Sequence, residues 1–225
     1  MKFEKISELT TNRLSIYLRC LDEIAATGGK TVSSGGLAER FHLNSAQIRK
    51  DLAYFGEFGV RGVGYYVDTL RDHLTKILGL NREHRLGIIG AGRLGSALAA
   101  YHGFGETSFK VSALFDTNPK KIGKKIGDVE VFDIKSFATI VKRDKIEVAV
   151  IAVPAEHAHQ ALELVVKSGI KAVMNFAPVA LKTPSGVKLK TVDLTSKLQS
   201  LSFFLAQRNR KRTGSVKPKA KSRRK

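Results

Sequence analysis

The sequence is short of the residues that would tie it to an oxidising compartment or to a bilayer. It has one cysteine, Cys20, so no intramolecular disulfide can form. Cys20 falls inside a helical apolar pattern and reads as packing rather than as a redox switch. No uninterrupted apolar run approaches the roughly 18 residues needed to cross a bilayer. The opening MKFEKISELT carries Glu4 and Glu8 and lacks the apolar stretch of a secretory signal. Together these absences make the cytoplasm the expected compartment. With 43% hydrophobic and 26% charged residues in 225, what remains is ordinary globular material, enough for two small domains or one large one.

Acid is missing altogether from residues 207–225, QRNRKRTGSVKPKAKSRRK, which hold ten Lys/Arg. That stretch supplies more than half of the net charge of +19. Residues 1–83 are nearly balanced, with twelve bases and ten acids, and residues 84–206 carry seventeen and ten. A polar, low-complexity tail of this kind is expected to stay unfolded and to attract polyanions without reading sequence. It suits a solubilising terminus as well as an accessory DNA-contacting arm.

Residues 1–83 read as helices closed by a glycine-rich hairpin. Leu14, Tyr17, Leu18, Leu21, Ile24 and Ala25 follow helical spacing, and Gly28-Gly29 stops that helix. Ser33-Ser34 can cap a short second helix over 35–41, weakened by Gly35 and Gly36. Asn44 or Ser45 can cap a third, SAQIRKDLAYF, with Gly56 as a left-handed terminator. In EFGVRGVGYYV, the residues Phe58, Val60, Val63, Tyr65 and Val67 are β-forming material around a tight turn. A further helix, about 68–79, ends at Gly79, and Asn81–His84 is the best domain boundary.

From residue 85 the pattern alternates. Strands are expected at RLGIIG, FKVSALFD, IEVAVIAVP and IKAVMNFA, with short ones near 129–132 and 187–192. Helices are expected over about 93–102, 134–143, 155–168 and 195–206. Apolar strands separated by helices imply a parallel sheet covered on both faces.

Gly90-Ala91-Gly92-Arg93-Leu94-Gly95 follows the apolar strand Leu86–Ile89 and opens a helix, the setting that gives G-x-G-x-x-G its physical meaning. Gly90 permits the tight turn, Gly92 lets backbone approach a pyrophosphate, and Gly95 lets the helix pack close to the strand. The next strand ends in Asp116, an acid placed to bind ribose hydroxyls and repel a 2′-phosphate, which favours NAD(H) over NADP(H). FAD and coenzyme A share parts of such a fold; NAD(H) is the cofactor expected.

Residues 44–55 have the makings of a recognition helix. Ile48, Leu52 and Phe55 face a core, leaving Gln47, Arg49, Lys50 and Tyr54 outward, with Ser45 at the leading end; such side chains suit base edges and phosphates. Arg61 sits at the hairpin tip, where a wing reaches a minor groove or phosphate. The competing reading is a helical subdomain with a solvated charged face.

The runs QIRKDLAYFGEFGVRGVGY, GAGRLGSALAAYHGFGE, FDTNPKKIG, AVPAEHA, NFAP and VDLTSKLQSLSFFL together resemble the Rex family of redox-sensing transcriptional repressors, in order and over about residues 10–206. The resemblance implies a homodimer in which each subunit joins an N-terminal winged helix-turn-helix domain (1–83) to a Rossmann-type doubly wound parallel sheet (84–206). It implies that the last helix, 195–206, is exchanged, presenting Leu198, Leu201, Phe204 and Leu205 to the partner. It matches Gly90, Gly92, Gly95 and Asp116 to cofactor binding, with Ala91, Arg93 and Leu94 between them. Gln47, Arg49, Lys50, Tyr54 and Arg61 match the region that meets DNA, and Tyr101, Arg19 and Asp193 match positions that sense the nicotinamide and couple it to the DNA-binding domain. The implied activity is repression at palindromic operators, relieved by NADH.

Two rival functions remain. A dehydrogenase needs an acid or base near the nicotinamide. His157 and His159 follow the strand Val148–Val153, but no substrate domain is left, so no catalytic or metal-ligating residue is assigned. A DNA-compacting protein acting through the tail would bind without sequence preference and with steep salt dependence.

Overall fold

The computed structural model describes residues 6–105 and 107–213. The chain separates into two compact units, Met1–Glu83 and His84–Lys225.

In the first unit, Ser7 caps α1 (Glu8–Ala26) by accepting the Thr10 N–H. The helix buries Leu14, Tyr17, Cys20, Leu21 and Ile24. These share a core with Leu37 of α2 (Ser34–Arg40), with Ile48, Leu52 and Phe55 of α3 (Ser45–Phe55), and with Val67, Leu70 and Leu74 of α4 (Val67–Ile77). Cys20 is therefore core, and burial pushes its thiol pKa up. The glycines of α2 are offset by Ser33, whose hydroxyl accepts the Gly36 N–H. Asn44, rather than Ser45, caps α3 by accepting the Gln47 N–H. Gly56 ends α3 at φ 155°, ψ 174°, not in the left-handed conformation expected, though still at a positive φ that favours glycine.

The hairpin is tighter than its β-forming residues suggest. Val60 and Gly64 form one antiparallel bridge around Arg61-Gly62-Val63. The paired strands are β1 (Thr31–Val32) and β2 (Tyr65–Tyr66), and Val67 opens α4 instead of extending the ribbon. Gly64 has φ +94°, and a Cβ there would lie 2.5 Å from the Val32 carbonyl oxygen, so close backbone approach consumes the strand length.

The second unit holds a seven-stranded sheet. Its strands are β3 (His84–Ile89), β4 (Phe109–Asp116), β5 (Lys125–Ile126), β6 (Val129–Asp133), β7 (Val148–Ile151), β8 (Ala172–Asn175) and β9 (Lys188–Thr191), in the order β5-β6-β4-β3-β7-β8-β9. All pairs are parallel except the edge pair β5–β6. Without that edge strand the order is 3-2-1-4-5-6, the doubly wound arrangement, whose crevice lies where β3 meets β7. The buried strands are near-continuous Ile, Val, Leu and Ala, as two covered faces require. Helices α5 (Arg93–Ala99), α7 (Phe137–Arg143) and α8 (Ala155–Lys167) join them; α8 buries Ala158, Ala161, Leu162 and Val165.

Two helices depart from expectation. The helix expected over 93–102 stops at Ala99, and a separate turn α6 (His102–Gly105) follows Tyr101. The last helix, α9, runs Leu194–Thr213, past residue 206 and into the stretch expected to be unfolded. Gln, Arg and Lys are good helix formers and can propagate a helix already nucleated. Residues 214–225 of the tail lie outside the described residues.

Candidate nucleotide-binding and DNA-binding sites

The glycines of the fingerprint turn divide by the space around them. A Cβ on Gly95 would lie 1.8 Å from the Gly90 carbonyl oxygen, so α5 can approach β3 only with glycine there. Gly90 has φ +102°, and its Cβ would lie 2.5 Å from the Ala152 carbonyl oxygen. Nothing lies within 4 Å of a Cβ on Gly92. Two glycines thus serve chain packing, and the middle one, at the N-cap of α5, fronts open space into which a phosphate fits.

A cavity of about 730 Å³ opens beside this turn, lined among others by Gly90, Gly92, Asp116, Thr117, Pro154 and His157. Its wall is built from the carboxyl ends of β3, β4 and β7, the switch point of the sheet. The volume is of the size that takes a nucleotide. Cradle, cavity and acid fit a dinucleotide. His157 lines the cavity through α8; His159 does not.

Asp116 closes the end of β4, its side chain only 11% exposed. Its Oδ2 accepts the Ala91 N–H and the Lys121 ammonium, each at 2.9 Å, and its Oδ1 accepts the Asn118 N–H at 2.8 Å. Burial opposes the charge, but these donors outweigh it and hold the carboxyl below its ordinary pKa. A carboxylate has about four acceptor positions. Three are filled here among the described residues, which leaves one for a ribose hydroxyl. Ala91, expected among the cofactor contacts, has its amide committed to Asp116. Arg93 and Leu94 are exposed at the start of α5. Tyr101 is 59% exposed, edge-on to Phe104, and lies over Gly103, where a Cβ would meet its ring at 2.4 Å.

In the other unit, Arg49, Lys50 and Tyr54 are exposed along α3, and Arg61 is exposed at the hairpin tip. Arg49 Nη1 donates to Ser34 Oγ at 2.9 Å, linking α3 to α2. Gln47 departs from its expected outward position: it is half-buried, and its Nε2 donates to Asp51 Oδ1 at 2.8 Å. Asp51 is 4% exposed and takes three further donors, Arg13 Nε and Nη2 and the Tyr17 hydroxyl, so all four acceptor positions are filled. Burial opposes its charge, and these partners still hold its pKa below the ordinary value. The hydrogen bond to Asp51 raises Arg13, and burial raises Tyr17.

This cluster was not anticipated, although it left a trace. Asp51 falls on the same helical face as Ile48 and Phe55, and an acid on a core face must find a partner. Asn175 was likewise missed: fully buried at the end of β8, it accepts the Ala177 N–H and donates to the Ala177 and Val179 carbonyls.

Comparison with known proteins agrees with both units. A family described as putative DNA-binding protein N-terminus matches residues 5–53, and one described as CoA binding domain matches 81–179. A redox-sensing transcriptional repressor Rex from Carboxydothermus hydrogenoformans is 48% identical over 90% of this chain and 98% of its own. The one from Syntrophomonas wolfei is 49% identical over 93% and 100%. The chain belongs to the Rex family of redox-sensing transcriptional repressors.

Solved structures agree. A crystal structure of RSP in complex with β-NAD+ and operator DNA has TM-score 0.87 and 38% identity, covering 94% of this chain and 99% of that one. One of RSP with β-NADH has TM-score 0.83, 37% identity and coverage of 93% and 98%. Within the Rex frame, the remaining expected positions have plain local surroundings. Arg19 is exposed on α1. Asp193 caps α9, its Oδ1 accepting the Ser196 N–H at 3.0 Å. Every residue from Leu194 to Gln207 is exposed, including Leu198, Leu201, Phe203, Phe204 and Leu205 at 59–66%. No helix among the described residues is long and apolar enough to cross a membrane.

Proposed function

We propose that the chain is a cytoplasmic, homodimeric repressor that binds palindromic operator DNA and releases it when NADH binds. The observation that carries this reading is the fingerprint turn closed onto Asp116, in a chain whose other unit presents Arg49, Lys50, Tyr54 and Arg61. Gly92 and the first amides of α5 would receive the pyrophosphate, and Asp116 a ribose hydroxyl. Asp116 also argues for NAD(H) over coenzyme A, the ligand named by the family matching residues 81–179. When bound, the nicotinamide supplies a charge that depends on its redox state.

Dimerisation is supported by α9. Six large apolar side chains on one exposed helix, Leu194 among them, need cover, and a second copy exchanging the same helix provides it. In a dimer, two α3 helices read successive major grooves when spaced about 34–36 Å apart, or a multiple of that. Release then requires a second state in which they lose that spacing. Switching such an equilibrium from 1:99 to 99:1 takes about 5.5 kcal/mol of differential ligand affinity. Tyr101 is assigned to sense the nicotinamide, whose positive charge in NAD⁺ is disfavoured in a dry pocket; Arg19 and Asp193 are assigned to pass the change on.

The experiment is selection of binding sites from random duplex DNA at physiological salt, with residues 207–225 present and deleted, repeated with NADH and with NAD⁺. A palindrome recovered without ligand or with NAD⁺ and lost with NADH is the expected result. Selection that returns no motif, or a motif indifferent to both nucleotides, would sink the proposal.

A further inference from the structure

The chain after β4 folds back on itself through two consecutive side-chain-to-backbone turns. Asp116 Oδ1 accepts the Asn118 N–H, and Asn118 Oδ1 accepts the Lys120 N–H at 2.9 Å. The Lys121 N–H then reaches the Asn118 carbonyl at 3.0 Å. The sequence Asp-Thr-Asn-Pro-Lys-Lys encodes this reversal: Asp and Asn close such turns, and Pro119 cannot continue a strand. The reversal returns Lys121 to the strand end, where its Nζ lies 2.9 Å from Asp116 Oδ2, and both residues line the cavity.

Asp116 is thus a carboxylate with a matched cation at hydrogen-bond distance. A bare acid at this point rejects a second phosphate by charge alone. A neutralised acid rejects it less, and the cation beside it is a phosphate partner in waiting. We infer that Lys121 sets how sharply the site separates NADH from NADPH, by neutralising and orienting Asp116 and by presenting an ammonium where a 2′-phosphate would sit. The inference rests on the NAD(H) reading of the site.

Direct titration of the full chain with NADH and with NADPH, followed by calorimetry, tests it through the ratio of the two dissociation constants. Lys121→Ala should raise the preference for NADH about tenfold, because it leaves Asp116 unneutralised, and Lys121→Arg should restore the parent ratio. Asp116→Ser should narrow or reverse the preference, and the double variant Asp116→Ser, Lys121→Ala should lose the NADPH affinity so gained. An unchanged ratio in Lys121→Ala, or NADPH affinity that survives in the double variant, would overturn the role of Lys121 alone. A parent chain that binds neither nucleotide would overturn the NAD(H) reading together with it.

Discussion

Asp51 and Asp116 are two carboxylates shifted in the same direction in opposite settings. Each sits in a different unit, each is largely buried, and each is held below its ordinary pKa by its donors. Asp51 takes four donors, all from side chains of α1 and α3, and its acceptor capacity is exhausted. Asp116 takes three, two of them backbone amides, and faces a cavity. A carboxylate closed by the side chains of two helices joins those helices. One cradled by its own turn, with a position left over, is available to a ligand. The donor count separates a structural acid from a binding one where burial and pKa do not.

The sharpest test of that contrast is Asp51→Ala, which should destabilise the first unit by about 3 kcal/mol in chemical denaturation, because it strands the Arg13 charge and the buried Tyr17 hydroxyl. Operator binding should fall with it, since α3 loses its tie to α1. The pH dependence follows from the directions of the shifts. The Asp51 contribution is present above the unfolded carboxyl value of about 4 and is lost as pH falls through its lower folded value. Tyr17 is raised, so its contribution is present below the unfolded value of about 10 and is lost as pH rises toward its folded value. Circular dichroism across pH should therefore show a plateau between these limits, with a shallower acid limb in Asp51→Ala.

Much of this was legible in the sequence, and the reason lies in periodicity. Leu86–Ile89 of β3, Ala113–Phe115 of β4, Val148–Ile151 of β7 and Ala172–Met174 of β8 are apolar runs, and Ile48, Leu52 and Phe55 mark the inner face of α3. The glycine turn carries its own context. What periodicity cannot resolve is the border of a helical face. Gln47 lies there, and only the buried Asp51 one turn later decides that it bends inward. The hydrogen bond from Ala91 to Asp116 joins residues 25 positions apart and has no local signal. The extension of α9 to Thr213 was hidden because a low-complexity basic composition speaks for solvation, while its individual residues are good helix formers. The tight turn at 60–64 follows from its glycines, but Val67, β-forming by type, opens α4, because β-propensity reports the residue and not its place in the chain.

A smaller loss is expected at the open acid. Asp116→Ala should weaken NADH binding about tenfold to a hundredfold, the range for a hydrogen bond to a charged group, and should weaken the NADH-driven release of operator equally. Operator affinity without ligand should be unchanged, because the substitution lies in the other unit. A thermal midpoint that falls as far as in Asp51→Ala would erase the distinction between a structural and a binding carboxylate.

The smallest effect on stability is expected on the outer face of α3, where the comparison turns from two units to two sides of one helix. Asp51 ties the inner side to α1, and Arg49 reaches from the outer side to Ser34 of α2 by a single exposed hydrogen bond. An exposed bond of that kind adds little to folding, so Arg49→Ala should leave stability within about 0.5 kcal/mol. Its guanidinium is instead available to phosphate or to a guanine edge. Operator affinity should fall by about 1–3 kcal/mol with NADH binding intact, and the two roles separate by salt. A phosphate contact lowers the slope of log affinity against log salt by about one and weakens all sequences alike, whereas a base contact leaves the slope and relaxes one operator position. If Arg49→Ala costs stability and spares operator binding, its bond to Ser34 is structural after all, and recognition passes to Lys50, Tyr54 and Arg61.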